Sequence, residues 1–395
     1  MTPAVDMWSS PTVVYAGGLR QLPAALGGRP MLLVADERLA AQIDAVAAAG
    51  TAAAVIRLDL NLAVDDVAGV VADALARHPM AVPVALGGGS VMDVVRLAAL
   101  AAADPGAGNR RCAADGPTFL TTRAVNPTVC IPSTIGTGSE VSPVAVLNTV
   151  AGTAMIVSPG LRSAAAVFDP RVTGTLPPAA LAAGLVEPWA RICVPAIAGD
   201  RLRFQDGLAS GLAATILGLG DELAGNLTAV PDDDWRSAAA LASAQTHLGL
   251  FALGRAPAGH VLWPLATELI RSTALPKATV LAALVPAWLR CIAAGAVGRA
   301  WGSADRVRTI LGVDPAEAAT RLEAWMGVLS LPTVLPAVTD IEAVVARVVD
   351  PWQASGLFLS GASRPEIAAV VGAACAVPAR SAQSRPGPHS RLDLH

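Results

Sequence analysis

Lysine is almost missing from this chain: Lys277 stands alone against 27 arginines. A high-GC coding bias converts surface lysines to arginines in this way, so the one survivor draws notice. Aromatic residues are also few, at 4%, with one tyrosine and five phenylalanines, although there are eight tryptophans. The five cysteines, Cys112, Cys130, Cys193, Cys291 and Cys375, show no CxxC spacing. That argues against a zinc knuckle or a disulfide framework and for reduced, buried thiols. No apolar run reaches the roughly 18 residues of a membrane span; Gly207 to Gly220 comes nearest, between Asp206 and Asp221. No basic run accompanies the net charge of −3, which argues against a nucleic-acid partner. The first residues lack the basic start and apolar centre of a signal peptide, so a cytoplasmic protein without a membrane partner is expected.

What is present is a chain of 395 residues, 53% hydrophobic and rich in alanine, enough for two cores. The first part alternates strand-like and helix-like runs. Strands are expected at Met31–Ala35, Ala53–Leu58, Ala81–Leu86 and Thr128–Ile131, and helices at Glu37–Ala49, Val64–Arg77 and Val94–Ala102. That rhythm predicts a parallel sheet with helices on both faces. Asp104–Pro117 reads as a surface loop, and Val144–Asn148 with Ala154–Val157 as a hairpin. Beyond Pro177-Pro178 helical runs take over: Ala179–Ala196, Leu208–Leu227, Asp234–Leu253, Leu262–Ser272, Ala278–Ala294, one from the N-cap Asp314 to Met326, Ile341–Val349 and Arg364–Cys375. The expected organisation is an α/β domain over 1–174, an all-α domain over 175–378, and a disordered tail over 379–395.

Two stretches carry chemistry. Gly87-Gly88-Gly89-Ser90-Val91-Met92-Asp93 joins an apolar strand to a helix, where free N–H groups and the positive helix end suit a phosphate. Pro132-Ser133-Thr134-Ile135-Gly136-Thr137-Gly138-Ser139-Glu140 adds small and hydroxylated residues that let a ligand approach the backbone. From these come the candidate cofactor residues Gly87, Gly88, Gly89, Ser90, Asp93, Thr134, Thr137 and Ser139. Ser90 with Asp93 equally reads as a helix capping box. Asp36, after its strand, either accepts from a ribose and favours NAD over NADP, or caps a helix.

The pair of motifs resembles the GGGSxxD and PTTxGTGSE signatures of the iron-containing alcohol dehydrogenases. That family shares its fold with glycerol dehydrogenase and dehydroquinate synthase. The likeness runs from about Pro11 to Arg290 and thins towards the C-terminus. It implies a dehydroquinate synthase-like fold with NAD(P) between the α/β and helical domains. It also implies a divalent metal held by one carboxylate and two or three histidines. Carried onto this sequence, the carboxylate is Glu187 and one histidine is His260. Other family histidines fall on Arg191, Pro264 and Lys277, and a family cofactor lysine falls on Thr153.

Glu187 and His260 alone are too few to hold zinc or iron, and an ammonium has no lone pair to offer. The leading expectation is therefore an NAD(P)-linked alcohol or carbonyl oxidoreductase without a metal. Lys277, Glu187 and His260 would be its catalytic residues; the plain alternative for Lys277 is an exposed residue after a turn. Trp189, Trp263 and Leu262 are expected to line an apolar cleft. Other expectations stay open. One is a non-catalytic partner of another biosynthetic enzyme; another is a retained metal with His247 as third ligand. The chain is also compatible with dehydrogenases of daptide-type peptide biosynthesis, which would oxidise a C-terminal threonine's hydroxyl. A small-molecule or peptide substrate and a homodimer or hetero-complex complete the reading.

Overall fold

Alternation of side chains between two faces decides how the sheet is covered. In the computed structural model, which describes residues 12–59, 64–103, 116–121, 128–149, 152–225, 231–255, 259–336, 338, 340–353, 356 and 358–375, every residue of Met31–Asp36 (β2) is buried. Leu32 and Val34 pack to one face and Leu33 and Ala35 to the other, as alternation of side chains requires. The strands Val13–Tyr15 (β1), β2, Ala52–Leu58 (β3), Val82–Gly87 (β4), Val129–Pro132 (β6) and Ala165–Val167 (β9) form one sheet, ordered β1-β9-β6-β4-β2-β3. All its pairings are parallel. Leu22–Leu26 (α1) and Ala40–Ala49 (α2) cover one face; Val64–Arg77 (α3) and Gly89–Ala103 (α4) cover the other.

A second sheet has three strands, Gly116–Phe119 (β5), Gly152–Val157 (β8) and Val144–Thr149 (β7). β7 and β8 form the expected antiparallel hairpin. β5 corrects the expected loop at Gly116–Pro117, because it pairs parallel to β8. The rest of that loop and the tail from Ala379 lie outside the described residues. The side chain of Thr153 does too.

From Pro178 the chain is helical: Pro178–Ala198 (α5), Arg203–Ala224 (α6), Asp233–Leu248 (α7), Leu262–Thr273 (α8), Lys277–Ala293 (α9), Ala304–Leu311 (α10), Pro315–Val328 (α11), Ile341–Val348 (α12) and Arg364–Ala374 (α13). α9 is the centre of their core, with Val280 to Val285 fully buried. α5 is long and apolar enough to cross a membrane, which the apolar-run criterion overlooked, but 83% of its most apolar window is buried inside the protein. Cys130, Cys193, Cys291 and Cys375 are free, buried thiols.

Candidate functional site

The cleft forms where the second motif meets α5, and two glycines make that meeting close. Gly136 has φ 108°, a region open to glycine, and a methyl group there would overlap the Gly184 carbonyl oxygen. A methyl group on Gly184 would stand 2.7 Å from the Ile135 carbonyl oxygen. Loop and helix therefore touch backbone to backbone, which sets Glu187, one turn further along α5, against the motif.

The glycine turn is equally tight. A Cβ on Gly88 would lie 3.2 Å from Thr134 Cγ2, and one on Gly89 3.2 Å from Thr137 Cγ2. The motifs thus pack on each other at the C-terminal edge of the sheet, at the N-terminus of α4. α4 begins at Gly89, ahead of the expected Val94, which puts Ser90 in its first turn and not at the N-cap. Thr134 Oγ1 is buried there without a partner among the described residues. An orphan hydroxyl beside free helix N–H groups fits a phosphate oxygen.

Asp93 and Ser139 have other work. Ser139 Oγ donates to Asp93 Oδ1, as does Arg96 Nη2, and the Val146 N–H donates to Asp93 Oδ2 at 2.8 Å. Arg96, 1% exposed, also donates to the Leu161 and Val144 carbonyls, both at 2.9 Å. This buried network ties α4 to the second motif and the hairpin. It replaces the capping-box bond expected between Ser90 and Asp93. Beside it Glu140 is buried, and burial raises its carboxyl to about 7 against the pull of Arg191 and Arg96.

Asp36 ends β2, one residue past the Ala35–Leu86 pairing that places it next to the glycine turn. Arg38 clamps it, with Nε 2.9 Å from Oδ1 and Nη2 2.6 Å from Oδ2. Those bonds hold its carboxyl below the usual range. α2 starts later, with Leu39 at its N-cap, so Asp36 caps no helix. Its charge is also not bare, and the expected repulsion of a 2′-phosphate is offset by the guanidinium.

The second half of the site is a cluster of charge. Lys277, the first residue of α9, places Nζ 3.0 Å from Glu187 Oε1. Arg191 Nη2 reaches the same oxygen at 2.7 Å, and donates to the Gly136 and Thr137 carbonyls, both at 3.0 Å. Its Nη1 bonds Thr246 Oγ1. Against burial, which pushes it up, Lys277 and Arg191 hold the Glu187 carboxyl below its usual range. Burial lowers the Lys277 ammonium, Glu187 opposing and Arg191 reinforcing.

His260 tilts against Trp263, ring centroids 5.4 Å apart, and its Nδ1 is buried without a partner among the described residues. Burial, with Arg191 and Lys277 close by, brings its pKa to about 3, so it is neutral. His247 sits on Gly138, where a Cβ would lie 2.5 Å from its Cδ2; burial and then Arg191 keep it well below the usual range.

The expected cleft lining needs correction. Trp189, two residues from Glu187 and so about 200° around the helix, faces away. It is 1% exposed and lines a cavity of about 280 Å³ with Ala213, Leu217, Leu322 and Trp325. Leu262 is core as well, 1% exposed. Of the three, Trp263 is at the site.

The donor set does not fit a divalent metal. Glu187 is bound by two cations, and among the described residues no three His, Cys, Asp or Glu side chains gather. Among those residues, neither His247 nor any other group completes a site with Glu187 and His260. Arg191 was visible in the sequence only as a missing histidine; its grip on the second motif is a tertiary fact.

Residues 11–170 match the family model described as iron-containing alcohol dehydrogenase. Long-chain-alcohol dehydrogenase 1 of Geobacillus thermodenitrificans (strain NG80-2) is 30% identical over 130 residues, 32% of this chain. The match spans about a third of that relative's length as well, 32%. The fold agrees over nearly the whole chain with NADH-dependent butanol dehydrogenase A from Thermotoga maritima. Its TM-score is 0.79 at 17% identity, covering 95% of this chain and 100% of that one. An iron-containing alcohol dehydrogenase from Thermococcus thioreducens gives 0.75 at 18% identity, covering 93% and 99%. Sulfoacetaldehyde reductase from Bifidobacterium kashiwanohense, in complex with NAD+, gives 0.74 at 18% identity, covering 94% and 99%. The chain thus has the iron-containing alcohol dehydrogenase fold, and its α/β part carries that family's sequence pattern.

Proposed function

We propose that the protein is an NAD(P)-linked alcohol or carbonyl oxidoreductase that works without a metal. The observation that carries this reading is the Lys277 ammonium 3.0 Å from Glu187, at the position where the resemblance puts a metal ligand. Gly88, Gly89, Ser90, Thr134 and Thr137 would hold the cofactor's phosphates at the start of α4, and Asp36 with Arg38 would meet the adenosine ribose. NAD(P) held there would supply the hydride chemistry, taking hydride from an alcohol's carbinol carbon or giving it to a carbonyl carbon.

The chain's own residues then handle the oxygen and its proton. A Lys277 N–H donates to the carbonyl oxygen and stabilises charge as it develops there. In reduction the proton passes from Nζ to that oxygen; in oxidation Nζ, neutral, takes the hydroxyl proton. Burial lowers the ammonium's pKa, Glu187 opposing and Arg191 reinforcing, and this lowering favours proton release, while the bond to Glu187 keeps the group in place. Neutral His260, with an unpartnered Nδ1, is a second hydrogen-bonding group for the substrate.

Calorimetric titration of metal-analysed protein with NAD+ and NADP+, with and without EDTA, tests this. Saturable binding unaffected by EDTA, followed by turnover of alcohols from butanol to long-chain alcohols, is expected. Threonine-ended peptides in the same assay test the extension to natural-product biosynthesis. Absence of binding by either nucleotide overturns the reading. It would leave the second one, a non-catalytic partner of a biosynthetic enzyme, which the sharing of Glu187 by two cations favours: its carboxylate is already neutralised within the chain.

A further inference from the structure

Both cation–ring contacts among the described residues fall on Trp263. Lys277 Nζ stands 3.9 Å from its ring centroid and Arg191 Cζ 5.7 Å. Among the described residues the ammonium makes one hydrogen bond, to Glu187 Oε1, and that oxygen is shared with Arg191 at the shorter distance of 2.7 Å. Arg191 is immobilised by Gly136, Thr137 and Thr246. Lys277 hangs on a flexible four-carbon stem, and one shared hydrogen bond does not fix such a stem in place. The ring face supplies a second restraint, since an ammonium is drawn to the negative face of an indole.

The ring is itself backed by an apolar cluster. Trp263 packs against a cluster of Met155, Trp352 and Phe358. Met155 belongs to β8, in the sheet half of the molecule. Trp352 follows α12, is 2% exposed, and donates its indole N–H to Glu268 Oε1 at 3.3 Å. Phe358 meets Trp352 edge-on, centroids 5.3 Å apart. The platform under Lys277 thus packs against a cluster to which the β8 strand of the hairpin contributes Met155.

We infer that Trp263 is a positioning residue: its ring, packed against the cluster that contains Met155, holds the Lys277 ammonium at Glu187 and so sets where the substrate oxygen is received. The part about the oxygen rests on the oxidoreductase reading; the placement of the ammonium does not.

Because Lys277 is the only lysine, protein grown on lysine carrying ¹³C at Cε gives one NMR signal from the intact chain. Ring current from Trp263 should move that methylene upfield of free lysine. Trp263→Leu should return it to the free position, Trp263→Phe should retain part of the displacement, and Met155→Ala should give an intermediate value. In NADH-dependent reduction of butanal, Trp263→Leu should lower kcat roughly tenfold with an unchanged KM for NADH, and Trp263→Phe should recover most of it. A wild-type signal at the free-lysine position, or one that Trp263→Leu leaves in place, overturns the inference. If Trp263→Leu does not fold, a signal identical in wild type, Trp263→Phe and Met155→Ala does the same. An upfield signal in a protein that binds no nucleotide and reduces no carbonyl overturns the oxidoreductase reading and leaves the placement standing.

Discussion

The two walls of the cleft are built on opposite principles. Around the glycine turn, small residues remove side chains so that backbone meets backbone, and buried charges cancel in the Asp93–Arg96 pair. Around Glu187, side chains do the work and charge does not cancel: Arg191 and Lys277 are two cations on one carboxylate. The first wall keeps the residue pattern of the dehydrogenases it resembles; the second keeps Glu187 and His260 and puts cations where other ligands are expected. A phosphate-binding turn is a matter of shape, in which few side chains are tolerated. Stabilising an oxygen is a matter of positive charge, and an ammonium offers that without coordination geometry. The excess positive charge also reinforces burial in keeping both nearby histidines neutral.

The sharpest break of the first wall is Gly136→Ala. Its Cβ meets the Gly184 carbonyl and its φ of 108° suits glycine alone. A loss of roughly 3 kcal/mol or more is expected, read as a lower urea midpoint or failure to accumulate folded protein. Gly207→Ala, on α6 with open space around it, serves as the harmless control.

Acid and base should separate the walls by sign. Glu140 has its folded pKa raised from 4.5 to about 7, so its contribution to stability declines as pH rises from 4.5 to 7, by on the order of 3 kcal/mol. His260 has its folded pKa lowered from 6.5 to about 3, so its contribution is present above 6.5 and declines as pH falls towards 3. Urea midpoints from pH 4 to 8 should show Glu140→Gln gaining on wild type as pH rises. His260→Gln should gain on it as pH falls. Parallel curves for wild type and either variant would reject that assignment.

On the second wall, Lys277→Met should cost on the order of 10²–10³ in kcat while the fold persists, since Glu187 retains Arg191 at 2.7 Å. Unchanged turnover removes Lys277 from the chemistry. The gentlest test returns to the first wall. Thr134→Val discards a hydroxyl with no partner among the described residues, so stability should stay within about 0.5 kcal/mol. Nucleotide affinity by calorimetry should nevertheless weaken roughly three- to tenfold.

Much of the scaffold was legible in the chain. α3 spans the expected Val64–Arg77, and the β7–β8 hairpin appears where alternation placed it. Gly116–Phe119 was not legible, because its composition reads as loop and only the neighbouring β8 makes it a strand. The short helix Ala304–Leu311 also went unanticipated; it ends at Gly312 with φ 73°, before Pro315 starts the next. At the site, the meeting of Glu187 with Lys277 followed from the resemblance, and the turning away of Trp189 was implicit in its two-residue offset. The role of Arg191 was not, since nothing local says which carbonyls a guanidinium will find.

What the sequence determined by itself is the inventory: a glycine turn between strand and helix, a second motif of glycines and hydroxyls, one carboxylate and one histidine where a metal is expected, and a single lysine. Local rules of backbone conformation and periodicity read that much, because they act over a few residues. The tertiary structure alone decided that Glu187 Oε1 lies between two cations, that Asp36 carries a guanidinium, that Asp93 is spent on Arg96, and that Trp263 backs the ammonium. Those outcomes depend on burial and on distance through space, and residues 90 apart in the chain can stand 3.0 Å apart in the fold.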